Sequence, residues 1–129
     1  MKVLLAEDNE INQQFSVALL KKMGHAATLA ENGKDALAAL EAEAFDLVLM
    51  DIQMPVMDGQ EALAVLRKRE ANTGAHLPVI ALTAYAVKGD EEKFFAAGFD
   101  GYVSKPLEVK KLVEEMKRVL DLQPVVEPG

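Results

Sequence analysis

Short apolar runs and longer stretches of helical period take turns along this chain, five of each, and that alternation restricts the fold more than any other feature. The runs lie at residues 2–6, 26–30, 47–50, 79–82 and 101–104 and are built mainly from Val, Leu, Ile and Ala. A half-solvated strand would show a polar residue at every second position; a strand of a parallel sheet, covered on both faces, reads as nearly continuous apolar. Apolar runs separated by helix-period segments are the pattern of repeated βα units. The chain is therefore expected to be α/β, with a parallel sheet covered by helices on both sides.

Helix limits follow from capping chemistry. Asp8 or Asn9 suits the start of a helix that runs to Met23 and stops at Gly24, where a left-handed residue ends a helix at low cost. Glu31-Asn32-Gly33 opens a helix through Glu43, and Asp58-Gly59 opens one to about Glu70. A fourth is expected from Val87 to Ala97, ended by Gly98, and a fifth from Leu107 to about Leu122. Gly89, inside the fourth helix, costs about 1 kcal/mol relative to Ala and should make it the least rigid of the set.

At 129 residues the chain fits one domain, expected over residues 1–122, with residues 123–129 a linker stub or tail carrying two prolines and a terminal glycine. The absence of cysteine excludes disulfides and thiolate metal sites and is consistent with a cytoplasmic setting. A net charge of −7 gives no basic stripe for nucleic acid. No apolar run approaches the roughly 18 residues of a membrane helix, so no membrane contact or secretory signal is expected.

The ends of the apolar runs carry the chemistry. Glu7 and Asp8 follow the first run, Asp51 the third, Thr83 the fourth, and Lys105 closes the fifth. In open α/β sheets the site forms outside the carboxyl ends of the strands, so these residues should share one cleft. Each has an ordinary alternative: Glu7 and Asp8 as helix caps, Thr83 as an N-cap hydroxyl, Lys105 as a solvated surface lysine. Together they make a different proposition. Three clustered carboxylates raise one another's pKa values unless a hard cation sits among them, and magnesium, with its preference for oxygen, answers that need. The backbone carbonyl of Gln53 is a further candidate oxygen. The segment Met54-Pro55-Val56-Met57-Asp58-Gly59 is expected to be a loop and helix cap without chemistry. Neither His25 nor His76 has a nearby second ligand or nucleophile in the sequence, and the six methionines suit core and loop filling.

The pattern of Glu7-Asp8, Asp51 in DIQMPVMDG, Thr83 in ALTA, Tyr102, and Lys105-Pro106 resembles the receiver domain of bacterial two-component response regulators across residues 1–122. The resemblance implies a (βα)5 flavodoxin-like three-layer sandwich with strand order 2-1-3-4-5. It implies phosphorylation of Asp51 by the phosphohistidine of a histidine kinase or histidine phosphotransfer domain. Magnesium, or manganese in its place, would be held by Asp8, Asp51 and the Gln53 carbonyl, with Glu7 acting mainly through water. Lys105 would contact the phosphoryl oxygens, and Thr83 would move toward them and draw in Tyr102. Glutamate stands at residue 7 where the family usually has aspartate. The stretch Glu7-Asp8-Asn9-Glu10-Ile11-Asn12-Gln13 is similar to receivers of hybrid histidine kinases, which implies a module of such a kinase; a stand-alone single-domain regulator is the alternative. The expected readout is a shift of the face formed by the fourth helix, fifth strand and fifth helix, a face also expected to serve any homodimer.

Phosphoryl transfer asks of a protein an in-line nucleophile, a cation across the oxygens and positive charge on the moving group, which Asp51, magnesium and Lys105 would supply. The module is expected not to be an enzyme beyond slow self-dephosphorylation. An aspartyl-phosphate phosphatase would need a second carboxylate two residues after its nucleophile, where this chain has Gln53. A flavodoxin-like cofactor module would need a phosphate-binding loop after the first strand, where Glu7-Asp8 repels phosphate.

Overall fold

A computed structural model describes residues 1–84, 90–105 and 107–121. The expectations for Val87, Gly89, Pro106 and the tail from Leu122 onward lie outside those residues. Along the described chain the elements run β1 (Lys2–Ala6), α1 (Glu10–Lys22), β2 (Ala26–Ala30), α2 (Gly33–Ala42), β3 (Leu47–Asp51), α3 (Gly59–Glu70), β4 (Val79–Thr83), α4 (Asp90–Ala97), β5 (Gly101–Ser104) and α5 (Val109–Asp121). The strands form one parallel sheet in the order β2-β1-β3-β4-β5. The expected α/β architecture and strand order are both present. None of the described helices is long and apolar enough to cross a membrane.

The two apolar faces inferred from sequence become two cores. Leu4, Ala6, Val48, Met50, Val79 and Ala81 point to the side covered by α2 and α3, where Ala36, Leu37, Ala62 and Leu63 meet them. Their strand neighbours Val3, Leu5, Leu47, Leu49, Ile80 and Leu82 point to the other side, against Leu19 and Leu20 of α1 and Leu112, Met116 and Val119 of α5. Alternation along a strand sends successive side chains to opposite faces, so a strand buried on both must be apolar throughout. Each such Leu or Val contributes about 1.5–3 kcal/mol by leaving water. The edge strand β2 departs from this. Ala26 and Leu29 are exposed, one on each face, as the outermost strand of the sheet has a neighbour on one side only.

Several ends differ from expectation for local reasons. Asn9, not Asp8, caps α1: its side chain accepts the Asn12 N–H at 3.0 Å. Asn32 and Asp58 cap α2 and α3 by the same bond. Gly24 and Gly98 take φ of +87° and +107°, ending α1 and α4 as their sequence positions implied. Strands β3 and β4 extend one residue further than expected, to Asp51 and Thr83, because Ile52 N–H still donates to Leu82 carbonyl at 3.1 Å. Helix α5 starts at Val109 rather than Leu107; Leu107 is buried against the α1/α5 core, and Glu108 supplies the first carbonyl, accepting from Leu112 at 2.9 Å.

Candidate functional site

Sheet register alone assembles the cleft. Ala6 pairs with Met50, so Glu7 and Asp51 leave their strands side by side at the point where the chain order reverses between β1 and β3. Asp51 pairs with Leu82, which puts Thr83 one step beyond, and Thr83 pairs with Ser104, which puts Lys105 one step beyond that. The Lys105 N–H donates to the Thr83 carbonyl at 2.7 Å, pinning the fifth crossing to the fourth. The result is an open cleft of about 930 Å³ bordered by Glu7, Asp8, Asp51, Gln53, Thr83 and Lys105.

Within it, Lys105 Nζ lies 2.7 Å from Asp51 Oδ2 and 2.8 Å from Glu7 Oε2. Asp51 Oδ1 accepts the Gln53 N–H at 3.1 Å, which brings the residue 53 backbone to the rim. Glu7 is 1% exposed, Asp51 4% and Thr83 7%; burial of two carboxylates and a hydroxyl demands partners. Burial pushes the Asp51 carboxyl up to about 6; the Lys105 hydrogen bond opposes the rise and Glu7 adds to it. Burial alone would lower the Lys105 ammonium, but its hydrogen bond to Asp51 and its charge interactions with Asp51 and Glu7 prevail and raise it.

The five residues named at the strand ends from sequence all border this cleft, as does Gln53, and Tyr102, half-buried on β5 three residues before Lys105, has its ring 5.6 Å from that of Phe94 in α4. The capping alternative for Glu7 and Asp8 fails, since Asn9 does that work. Lys105 is no solvated surface lysine. His25 sits beside the Met1 amino group and His76 beside Asp100 at 2.6 Å, neither of them in the cleft.

Three contributors were not read from the sequence. Gln13 donates from its buried side chain to the Glu7 carbonyl at 2.6 Å, and Asn12 donates to Glu7 Oε1 at 3.1 Å. The signal was there as carboxamides at residues 12 and 13, one helical turn beyond the acid pair. Gly59 was seen only as a helix opener. A Cβ there would lie 2.2 Å from the Asp51 carbonyl oxygen, so the glycine lets α3 start directly against the end of β3. The loop between them also carries Val56 at φ +67°, with Met57 N–H donating to Pro55 carbonyl at 2.7 Å in a tight three-residue turn.

The donor set fits a hard divalent cation. One carboxylate oxygen each from Glu7, Asp8 and Asp51 falls within 4.8 Å of the others. Glu7 Oε2 is the telling atom: it is buried and accepts no hydrogen bond, its approach to Lys105 being an ion pair out of line with a directed bond.

Residues 3–117 match the response regulator receiver domain family. Over 118 residues the chain is 48% identical to hybrid signal transduction histidine kinase I of Dictyostelium discoideum, covering 88% of this chain and 7% of that protein. It is 38% identical to the polar-differentiation response regulator DivK of Brucella anthropi, covering 92% and 94%. Among solved structures, the receiver domain of sensor histidine kinase PA1611 from Pseudomonas aeruginosa, with magnesium coordinated in its active-site cleft, superposes with a TM-score of 0.81 at 36% identity over 93% of this chain and 97% of that one. A chain from the co-crystal of the Saccharomyces cerevisiae histidine phosphotransfer protein Ypd1 with the receiver domain of Ssk1 gives 0.86 at 29% identity over 98% and 93%. The chain thus spans a small fraction of the hybrid kinases it matches and nearly all of a single-domain regulator. With strand order, cleft and matched residues in agreement, the chain belongs to the response regulator receiver domain family, the phosphorelay module of two-component signalling.

Proposed function

We propose that Asp51 accepts a phosphoryl group from a partner phosphohistidine: the P–N bond to the imidazole breaks as a P–O bond to the Asp51 carboxylate forms. The observation that carries this is the Asp51 carboxylate at the end of β3, bound to Lys105 at 2.7 Å and grouped with Glu7 and Asp8 at the mouth of an open cleft. Glu7, Asp8, Asp51 and the Gln53 carbonyl would hold magnesium, with manganese as a substitute. The cation supplies neutralising charge to the phosphoryl oxygens. Lys105 is placed to leave Glu7 and follow the new phosphoryl group, which adds about −1.5 to −2 of charge. Thr83 would turn toward it, and Tyr102, packed on Phe94, would carry the change to α4 and β5. Population shift between two arrangements is sufficient for such a readout.

The partner is read as a histidine kinase or histidine phosphotransfer domain. Ile11 and Phe15 of α1 are 77% and 52% exposed beside the cleft and offer it an apolar seat next to Asp51. A homodimer, if one forms, would use the face of α4, β5 and α5, where Phe95 and Val113 are exposed. We read the chain as a receiver module of a hybrid kinase in a cytoplasmic setting, supported by its greater identity to that class; the coverage of DivK keeps the stand-alone regulator as the second reading. The aspartyl-phosphate phosphatase is not supported: Gln53 stands where its second carboxylate is required, and turnover is limited to slow self-dephosphorylation. Acetyl phosphate with magnesium should add one phosphoryl group by mass spectrometry, and Asp51→Asn should abolish it. Labelling that persists in that variant moves the acceptor elsewhere.

A further inference from the structure

Glu7 ends in a carboxylate whose last torsion is broad and nearly two-fold, so covalent geometry does not decide which oxygen faces the acid cluster. The surroundings do. Oε1 takes the Asn12 side-chain amide at 3.1 Å and the Asn9 N–H at 3.3 Å, whereas Oε2 faces Lys105 at 2.8 Å and accepts no hydrogen bond. A carboxylate can only accept, so it is the Asn12 nitrogen that must point at it. Gln13, from the same turn of α1, fixes the Glu7 carbonyl at 2.6 Å, so backbone and side chain of Glu7 are held by adjacent residues. Asparagine is a poor helix former, and α1 carries one inside its first turn, where its side chain is turned to Glu7 instead of solvent.

We infer that Asn12 is a positioning residue for the acidic cluster: by holding Oε1 of Glu7, it leaves Oε2 as the one oxygen that residue 7 presents to the cation and to Lys105. This rests on the proposed magnesium site and deepens it. It also gives a physical account of glutamate at residue 7. The side chain is longer than aspartate by one C–C bond, about 1.5 Å, and that extra length is what brings Oε1 within reach of the Asn12 amide.

The test is a double-mutant cycle on magnesium affinity, measured by calorimetric or amide NMR titration without any phosphoryl donor. Asn12→Ala should weaken magnesium binding about tenfold, at the low end of what outer-shell partners of metal ligands contribute. In a Glu7→Asp background, where the shortened carboxylate no longer meets Asn12, the same substitution should change the affinity less than about twofold. Asn12→Ser, which keeps a short donor, serves as the second variant, with an affinity between those of the wild type and Asn12→Ala. Urea midpoints in the absence of metal are the control for a purely structural role and should not track the affinity change. Equal losses in the wild-type and Glu7→Asp backgrounds would overturn the role of Asn12 while leaving the magnesium site standing. Absence of magnesium binding by the wild type would overturn both.

Discussion

Lys105 Nζ stands 2.7 Å from Asp51 Oδ2 and 2.8 Å from Glu7 Oε2, so one ammonium bridges two buried acids. Removing one member of a buried charge group leaves the others uncompensated, at a cost of several kcal/mol. Lys105→Met should therefore destabilise the metal-free fold by about 2–4 kcal/mol at pH 7.5, discounted for the partial exposure of the lysine. Magnesium should then raise the urea midpoint of the variant more than that of the wild type. Equal increments would mean that Lys105 and the cation do not answer the same repulsion.

Asp51 predicts a pH profile. Its carboxyl is held near 6 in the fold, mainly by burial, against an ordinary 3.8. Between those values the folded protein keeps a proton that the unfolded chain has released, so stability falls as pH rises through the window. The full contribution is present below pH 3.8 and gone above about 6. Asp51→Asn has no such proton. In EDTA its stability relative to wild type should climb from pH 4 to pH 7 by roughly 1–3 kcal/mol, the upper end being the shift converted at 1.4 kcal/mol per unit. Urea midpoints across that range are the measurement, and a flat difference would show that the acid is not strained.

Gly59→Ala bears on the site through backbone. The new methyl group would sit 2.2 Å from the Asp51 carbonyl oxygen and 3.0 Å from its carbonyl carbon, neither of which is the end of a flexible side chain. Helix α3 must back away or the end of β3 must bend, at about 1–3 kcal/mol. Phosphorylation by acetyl phosphate should slow at least tenfold even where the variant remains folded, because Asp51 moves with its own carbonyl. Normal kinetics in a folded Gly59→Ala would show that the close approach is unimportant to the site.

The fold was legible because the central strands β1, β3 and β4 had to be apolar on both faces, and Leu4 with Leu5, or Leu49 with Met50, can only be satisfied together between two helical layers. The cleft was legible because register carries strand ends to one edge, so Glu7, Asp51, Thr83 and Lys105 needed no contact information. What escaped depends on where a side chain turns. Asn9, Asn12 and Gln13 are all plausible surface or cap residues of a helix start, and only their bonds separate the cap from the two that hold Glu7. Gly59 escaped because a close backbone approach leaves no pattern in sequence beyond the glycine itself.

Arg67 tests whether the opposite edge of the sheet is independent of the cleft. From α3 its guanidinium donates to the Gly98 carbonyl at 3.0 Å, the Leu77 carbonyl at 2.9 Å, Glu70 at 2.6 Å and Asp100 at 2.7 Å. Those acids are themselves committed: Glu70 accepts Leu77 N–H, and Asp100 accepts Val79 N–H and pairs with His76. One planar donor thus ties the start of β4 to the turn between α4 and β5, a geometry that a lysine point charge does not reproduce. Arg67→Met should cost about 3 kcal/mol by leaving two half-buried carboxylates short of a cation, and Arg67→Lys should recover less than half of that. Because these contacts lie at the strand starts, away from Asp51, the folded fraction of both variants should still accept phosphate from acetyl phosphate at the wild-type rate. Loss of phosphorylation in step with stability is expected only through unfolding, so a folded Arg67→Lys that fails to react would show that the clamp at the base of α4 also governs the cleft.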